Sequence, residues 1–128
     1  MPVSDGYLTF VLDQLRPVVP DARARRMFGG IGLYAADLFF GIIDDDIVYL
    51  KVDDSTRGEY EARGMPAFRP YEGGTSMNYS QLPEEILEEQ ETLQLWTSRA
   101  LEVARAAKGK RAKKKGATKK GATKRRRE

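Results

Sequence analysis

Leu8, Val11, Leu12 and Leu15 recur at i, i+3, i+4 and i+7, the spacing of one face of a helix. Ser4 can cap that helix, and Pro17 and Pro20 bring it to an end. The period is then lost. Arg23-Ala24-Arg25-Arg26-Met27-Phe28 reads as a basic, helix-like stretch, and Gly29, Gly30 and Gly32 lead from it into a β-rich block. Residues 31–34, 38–43 and 47–52 read as three short strands. In the third, Val48, Leu50 and Val52 alternate with Tyr49 and Lys51, the pattern of a sheet with one buried face. Ala35-Ala36-Asp37 and Asp44-Asp45-Asp46 are short enough to be hairpin links.

Asp54 or Ser55 can cap a second helix, with Thr56 and Glu59 spaced as a capping box. Gly64 is placed to end it, and Pro66 follows. Residues 68–71 read as a weak strand, demoted to an edge by Pro70, and residues 75–79 as a better one. Pro83 suits the first turn of another helix, with Glu84 and Glu85 near its positive end. Leu93, Trp96, Ala100, Val103, Ala104 and Ala107 then form a helical stripe over about 91–108. The order α-β-β-β-α-β-β-α with short connections predicts an α+β domain. It has two layers, an antiparallel five-stranded sheet with helices packed on it.

Charge divides the chain more sharply than hydropathy does. From Lys108 onward stand twelve bases (Lys108, Lys110, Arg111, Lys113, Lys114, Lys115, Lys119, Lys120, Lys124, Arg125, Arg126, Arg127) against one acid, Glu128, a net of +11. The residues before them hold ten bases and eighteen acids, a net of −8. The overall +3 conceals this asymmetry. The boundary is therefore set as a folded domain over 1–107 and a disordered basic tail over 108–128. The tail, with Gly116-Ala117-Thr118-Lys119-Lys120 repeated as Gly121-Ala122-Thr123-Lys124-Arg125, offers almost nothing to a core.

Composition removes several chemistries. With no Cys and no His, disulfides and thiolate zinc sites are excluded, and so are the commonest general base and metal ligand. No carboxylates sit in a recognisable catalytic frame, so no catalytic residue, cofactor or metal site is assigned and the protein is expected not to be an enzyme. Gly30-Ile31-Gly32-Leu33-Tyr34-Ala35 formally satisfies G-x-G-x-x-A, but a strand follows it where a dinucleotide fingerprint needs a helix. The glycines are instead expected to let the chain turn tightly, or with φ > 0, into the first strand. Asp44-Asp45-Asp46 lacks the alternate spacing of a calcium loop and reads as a solvated turn. Two readings fit Arg23, Arg25 and Arg26: a secondary basic patch for phosphate or an acidic partner, and a solvated helix end. Trp96, within an apolar stripe, reads as core. No apolar run is long enough for a membrane span and the N-terminus lacks signal-peptide order, so a cytoplasmic protein is expected.

Three separated stretches resemble the TfoX N-terminal domain family: Arg26-Met27-Phe28-Gly29-Gly30-Ile31-Gly32-Leu33-Tyr34, Tyr49-Leu50-Lys51-Val52-Asp53-Asp54, and Met77-Asn78-Tyr79-Ser80-Gln81-Leu82-Pro83-Glu84-Glu85. The likeness covers roughly residues 7–107. It implies an α+β fold with a five-stranded antiparallel sheet and a tie to transcriptional regulation. The namesake regulators activate competence genes in concert with the cyclic-AMP receptor protein. The basic tail stands where those regulators carry a second domain, and the family brings no catalytic residues.

The tail resembles the Lys-Ala-Gly tails of linker histones and nucleoid proteins. Its expected partner is duplex DNA, held without sequence preference by phosphate neutralisation, since it has no aromatic residue to stack on single strands. A solubility extension, docking on the acidic domain or on a protein partner, and anionic lipid are the other readings of its charge, while the folded domain is expected to engage a protein partner in transcription. Lipid has no amphipathic or lipidation signal to support it. A homodimer formed at a sheet edge is a further reading of the folded part.

Overall fold

The structure, a computed structural model, describes residues 3–27, 29–69 and 78–121, with side chains to Gly109. The chain opens with helix α1 (Asp5–Leu15). Strands β1 (Ala22–Met27), β2 (Gly30–Ala35), β3 (Leu38–Asp44) and β4 (Ile47–Lys51) follow. Next come helix α2 (Arg57–Ala62), strand β5 (Tyr79–Gln81) and a short 3-10 turn at Glu84–Glu88, and the described chain ends in helix α3 (Gln90–Gly121). The strands form one antiparallel sheet in sequence order, β1-β2-β3-β4-β5. α1 and α3 cover one face. Their Val11, Leu15, Leu93, Trp96 and Ala100 join Ile31, Leu33, Phe40, Ile43, Val48 and Leu50 in a single buried cluster. Truncating one such side chain to Ala costs about 2–5 kcal/mol.

The sheet is five-stranded and antiparallel as the sequence pattern predicts, but its first member lies elsewhere. Residues 22–27, read as helix-like, are strand β1, paired along its whole length with β2 from Ala22↔Ala35 to Met27↔Gly30. Their core-facing positions are Ala22 and Ala24, too small to register as an apolar alternation. Of the expected strand 68–71, residues 68 and 69 form no strand: an isolated bridge lies just before them at Ala67↔Ser80, the Phe68 amide donates to Tyr79 O at 2.7 Å, and residues 70 and 71 lie outside the described part. So do 75–77 of the expected strand 75–79, and the observed strand starts at Tyr79.

The two hairpins predicted from the sequence, β2–β3 and β3–β4, are joined by two-residue turns. Asp45 and Asp46 have φ of 54° and 57°, the left-handed pair that matches the twist of flanking strands, and Asp tolerates that region better than most residues. In the other turn Ala36 holds φ 54°. The glycine cluster works as a backbone device: Gly29 has φ 80°, and a Cβ on Gly30 would stand 2.8 Å from the Ile43 carbonyl oxygen.

At α2 neither Asp54 nor Ser55 is the cap. The Asp53 carboxylate accepts from the amides of Ser55 at 2.9 Å and Thr56 at 3.2 Å, while Thr56 Oγ1 accepts from the Asp53 amide at 3.0 Å. The hydrogen bond from the Ser55 hydroxyl, with these amides, holds the Asp53 carboxyl below the usual carboxylate range. At the other end Gly64 has φ 73°, the amide of Met65 reaches Tyr60 O at 2.9 Å and that of Gly64 reaches Glu61 O at 2.9 Å, so the last carbonyls are satisfied as a left-handed cap requires.

Candidate nucleic-acid interface

α3 carries the basic segment, and burial of its first half fixes where that segment leaves the sheet. Leu93, Trp96, Ala100, Val103 and Ala104 are buried. Trp96 meets the Tyr60 ring edge-on at 4.6 Å with the Arg63 guanidinium 5.3 Å above its own ring, and is a core group. The stripe ends at the half-buried Ala107, and one residue later Lys108 Nζ pairs with Asp37 Oδ2 in the β2–β3 turn. An exposed pair of this kind contributes little, about 0–1 kcal/mol. It marks the root of the basic segment.

The backbone stays helical well past that root, contrary to the expectation of disorder from Lys108. It passes through Lys110, Arg111, Lys113, Lys114, Lys115, Lys119 and Lys120 to Gly121, about 20 Å at 1.5 Å per residue. Ala, Lys and Arg are strong helix formers, and cations suit the negative end of the helix dipole. Lys124, Arg125, Arg126 and Arg127 lie outside the described residues.

The sheet separates the three arginines read as one group. Arg23 and Arg25 stand opposite Tyr34 and Gly32 on the face away from α3, and Arg26, opposite Ile31, is on the helix-bearing face. None is at a helix end. Arg26 Nη2 donates to Asp5 Oδ1 at 3.0 Å. Arg23 Nη2 donates to the Ala36 carbonyl. Arg25 is exposed and makes no hydrogen bond or ion pair among the described residues. Arg23, Ala24, Arg25, Tyr34, Ala36 and Asp37 line an open groove of about 220 Å³. β1 is also an edge strand, and charged side chains on an edge discourage pairing with another chain.

On the rest of the outer face the described aromatic rings pair with one another. Tyr34 and Phe39 lie ring on ring, 5.0 Å apart and 17° from parallel. Phe39 meets Tyr79 at 5.6 Å, and Tyr79 is buried. These rings are occupied by one another. The G-x-G-x-x-A stretch is itself strand β2 and leads into a turn and strand β3, so no helix opens from its glycines as a dinucleotide cradle requires. The aspartate turn is structural, because Asp46 binds the N-cap residue Ser4. Among the described residues no three His, Cys, Asp or Glu are grouped to hold a metal ion. No helix among them is long and apolar enough to cross a membrane.

Three tyrosines titrate away from their ordinary value. Burial, then the charges of Glu84 and Asp46, push Tyr7 up to about 12. Burial and the neighbouring Asp44 and Asp45 raise Tyr49. Tyr60 is raised by burial and by Glu59 against a smaller opposing effect of Arg99. All three stay protonated at neutral pH.

The model of the TfoX N-terminal domain matches residues 13–104. The chain belongs to the TfoX N-terminal domain family. The match runs from the last residues of α1 into the buried half of α3, so it takes in the whole sheet and the groove at β1 but only the end of α1. It stops four residues short of Lys108, so the basic segment lies beyond it. No curated protein matches the chain. Sequence reasoning passed over Asp37 and Tyr34, which complete the corner around Arg23. No local signal in a two-residue turn indicates that a helix seventy residues later will dock beside it.

Proposed function

We propose that this protein is a non-enzymatic binding module that holds duplex DNA without sequence preference through its C-terminal Lys/Arg segment. Its TfoX-type domain is left to engage a protein partner in transcription, and the reading places it in the cytoplasm, associated with the nucleoid. The observation that carries the reading is the charge partition, +11 from Lys108 onward against −8 before it. Neutralising phosphates releases condensed counterions, which gives affinity without sequence information. The helical backbone of α3 supports it, since about 20 Å of duplex axis bears roughly a dozen phosphate charges. A catalytic role has no support in residues: the displaced tyrosines are explained by burial and the Asp53 carboxyl by capping.

The test is binding to a labelled duplex of mixed sequence over a range of salt. With about half of the basic side chains on phosphates, log K should fall against log [salt] with a slope of about −5, from roughly −0.9 per phosphate. Lys113→Gln, Lys114→Gln and Lys115→Gln together should flatten it by up to about 3 and weaken every sequence alike. A slope near zero in the parent would overturn the reading.

A further inference from the structure

The basic segment is rooted at one end of the sheet, beside the outward-facing arginines of β1. At one end of β3 lies the Asp44-Asp45-Asp46 turn, with Glu84 close enough to act on the same Tyr7 as Asp46. At the other end lies the Ala36-Asp37 turn. Asp37 is answered by Lys108, Ala36 is held by Arg23, and Arg25 stands two residues along β1 on the same face. β3 spans about 20 Å, more than twice the roughly 8 Å screening length at physiological ionic strength. A polyanion at the Ala36-Asp37 end is therefore screened from the aspartate turn. The acids it meets there are Asp21 before β1, Asp53 after β4 and Asp37, which Lys108 answers.

We infer that Arg23 and Arg25, in the groove they form with Tyr34 beside the root of the basic helix, are a second phosphate-contact site that continues the track of duplex DNA from α3 onto the edge of the sheet. This rests on the DNA-binding reading above. The occupant follows from charge complementarity and continuity, because the groove and the basic segment share one turn. Arg25 supplies an exposed guanidinium, and Arg23, already oriented by the Ala36 carbonyl, has further N–H donors in its fork. A site of this kind positions the domain on the duplex and reads no base. Arg26 is excluded: it projects from the opposite face, toward α1 and Asp5. Three arginines adjacent in sequence thus divide into two that meet the duplex and one that does not.

The experiment measures salt-dependent binding of the full chain to a mixed-sequence duplex, with thermal melts confirming that each variant is folded. Arg23→Gln with Arg25→Gln should flatten the slope of log K against log [salt] by up to about 1.8, two contacts at roughly 0.9 each. Arg25→Gln alone, which removes no described bond, should flatten it by up to about 0.9. Arg26→Gln, with the same loss of charge, should leave slope and affinity as in the parent. Equal slopes for parent and double variant overturn the inference, and so does an effect of Arg26→Gln as large as that of Arg25→Gln. The Lys113, Lys114 and Lys115 variant separates this outcome from failure of the parent reading. If that triple variant binds like the parent while the arginine variants weaken binding, the tail reading fails and the groove stands. If only the triple variant weakens it, the groove fails and the tail reading stands.

Discussion

Asp46 holds Ser4, 42 residues earlier in the chain, by both carboxylate oxygens: Oδ1 accepts from the Ser4 amide at 2.9 Å and Oδ2 from its hydroxyl at 3.1 Å. Ser4 Oγ in turn accepts from the Tyr7 amide at 3.2 Å. The N-cap of α1 is thus locked to the β3–β4 turn. Asp46→Ala removes both bonds and places a Cβ without a polar group at φ 57°. It should cost about 1–3 kcal/mol. Asp46→Asn keeps the left-handed preference and can still bond Ser4, so it should cost less than half as much. Denaturant unfolding of the two variants checks the order. Equal losses would mean that the two-oxygen tie of the carboxylate to Ser4, and not the left-handed preference of the turn, sets the cost.

Gly30 and Gly58 should respond in opposite directions to the same change. A Cβ at Gly30 meets the Ile43 carbonyl at 2.8 Å, whereas at Gly58 in α2 nothing lies within 4 Å. Gly30→Ala forces the β2–β3 pairing apart and should destabilise by about 1–3 kcal/mol. Gly58→Ala should stabilise by up to about 1 kcal/mol, through lower unfolded-chain entropy and better helix propensity. Thermal melts of the two variants beside the parent decide it.

Alkaline pH should weaken the fold through its tyrosines. Burial raises Tyr60 and pushes Tyr7 up to about 12, while in the unfolded chain both titrate near their ordinary value of about 10. The unfolded state therefore releases these protons first. Their contribution is complete below about pH 10 and is lost as pH rises toward the folded values. Tyr60→Phe retains the ring against Trp96 and should reduce the fall of stability above pH 10 by up to about 1.4 kcal/mol per pH unit. Unfolding free energies from pH 9 upward measure the slope, and an unchanged slope would remove Tyr60 from the alkaline limb.

A chain ending at Gly109 should melt with the full protein. It keeps every buried residue of α3 and the Lys108–Asp37 pair, so no described core contact is lost. Far-UV circular dichroism should show the loss of the helical signal that residues 110–121 contribute as part of α3. A large fall in melting temperature would mean that the basic segment docks on the acidic domain.

The amino-acid sequence by itself determined what local chemistry controls. The period of α1, the alternation of β4, the left-handed stop at Gly64, the glycine turn into β2 and the partition of charge at Lys108 each depend on neighbours within a turn or a strand, and each is readable in order. Membership of β1 was not, since Ala22 and Ala24 carry too little apolar surface to show a period of two, and only pairing with β2 makes residues 22–27 a strand. Nor could the sequence divide Arg23 and Arg25 from Arg26, because alternation assigns faces only once a strand has been recognised. The ties Ser4–Asp46 and Lys108–Asp37 join residues distant in sequence through single polar contacts. Such contacts leave no mark in the composition or periodicity of either partner, so the tertiary structure alone decides which end of the sheet the basic segment meets.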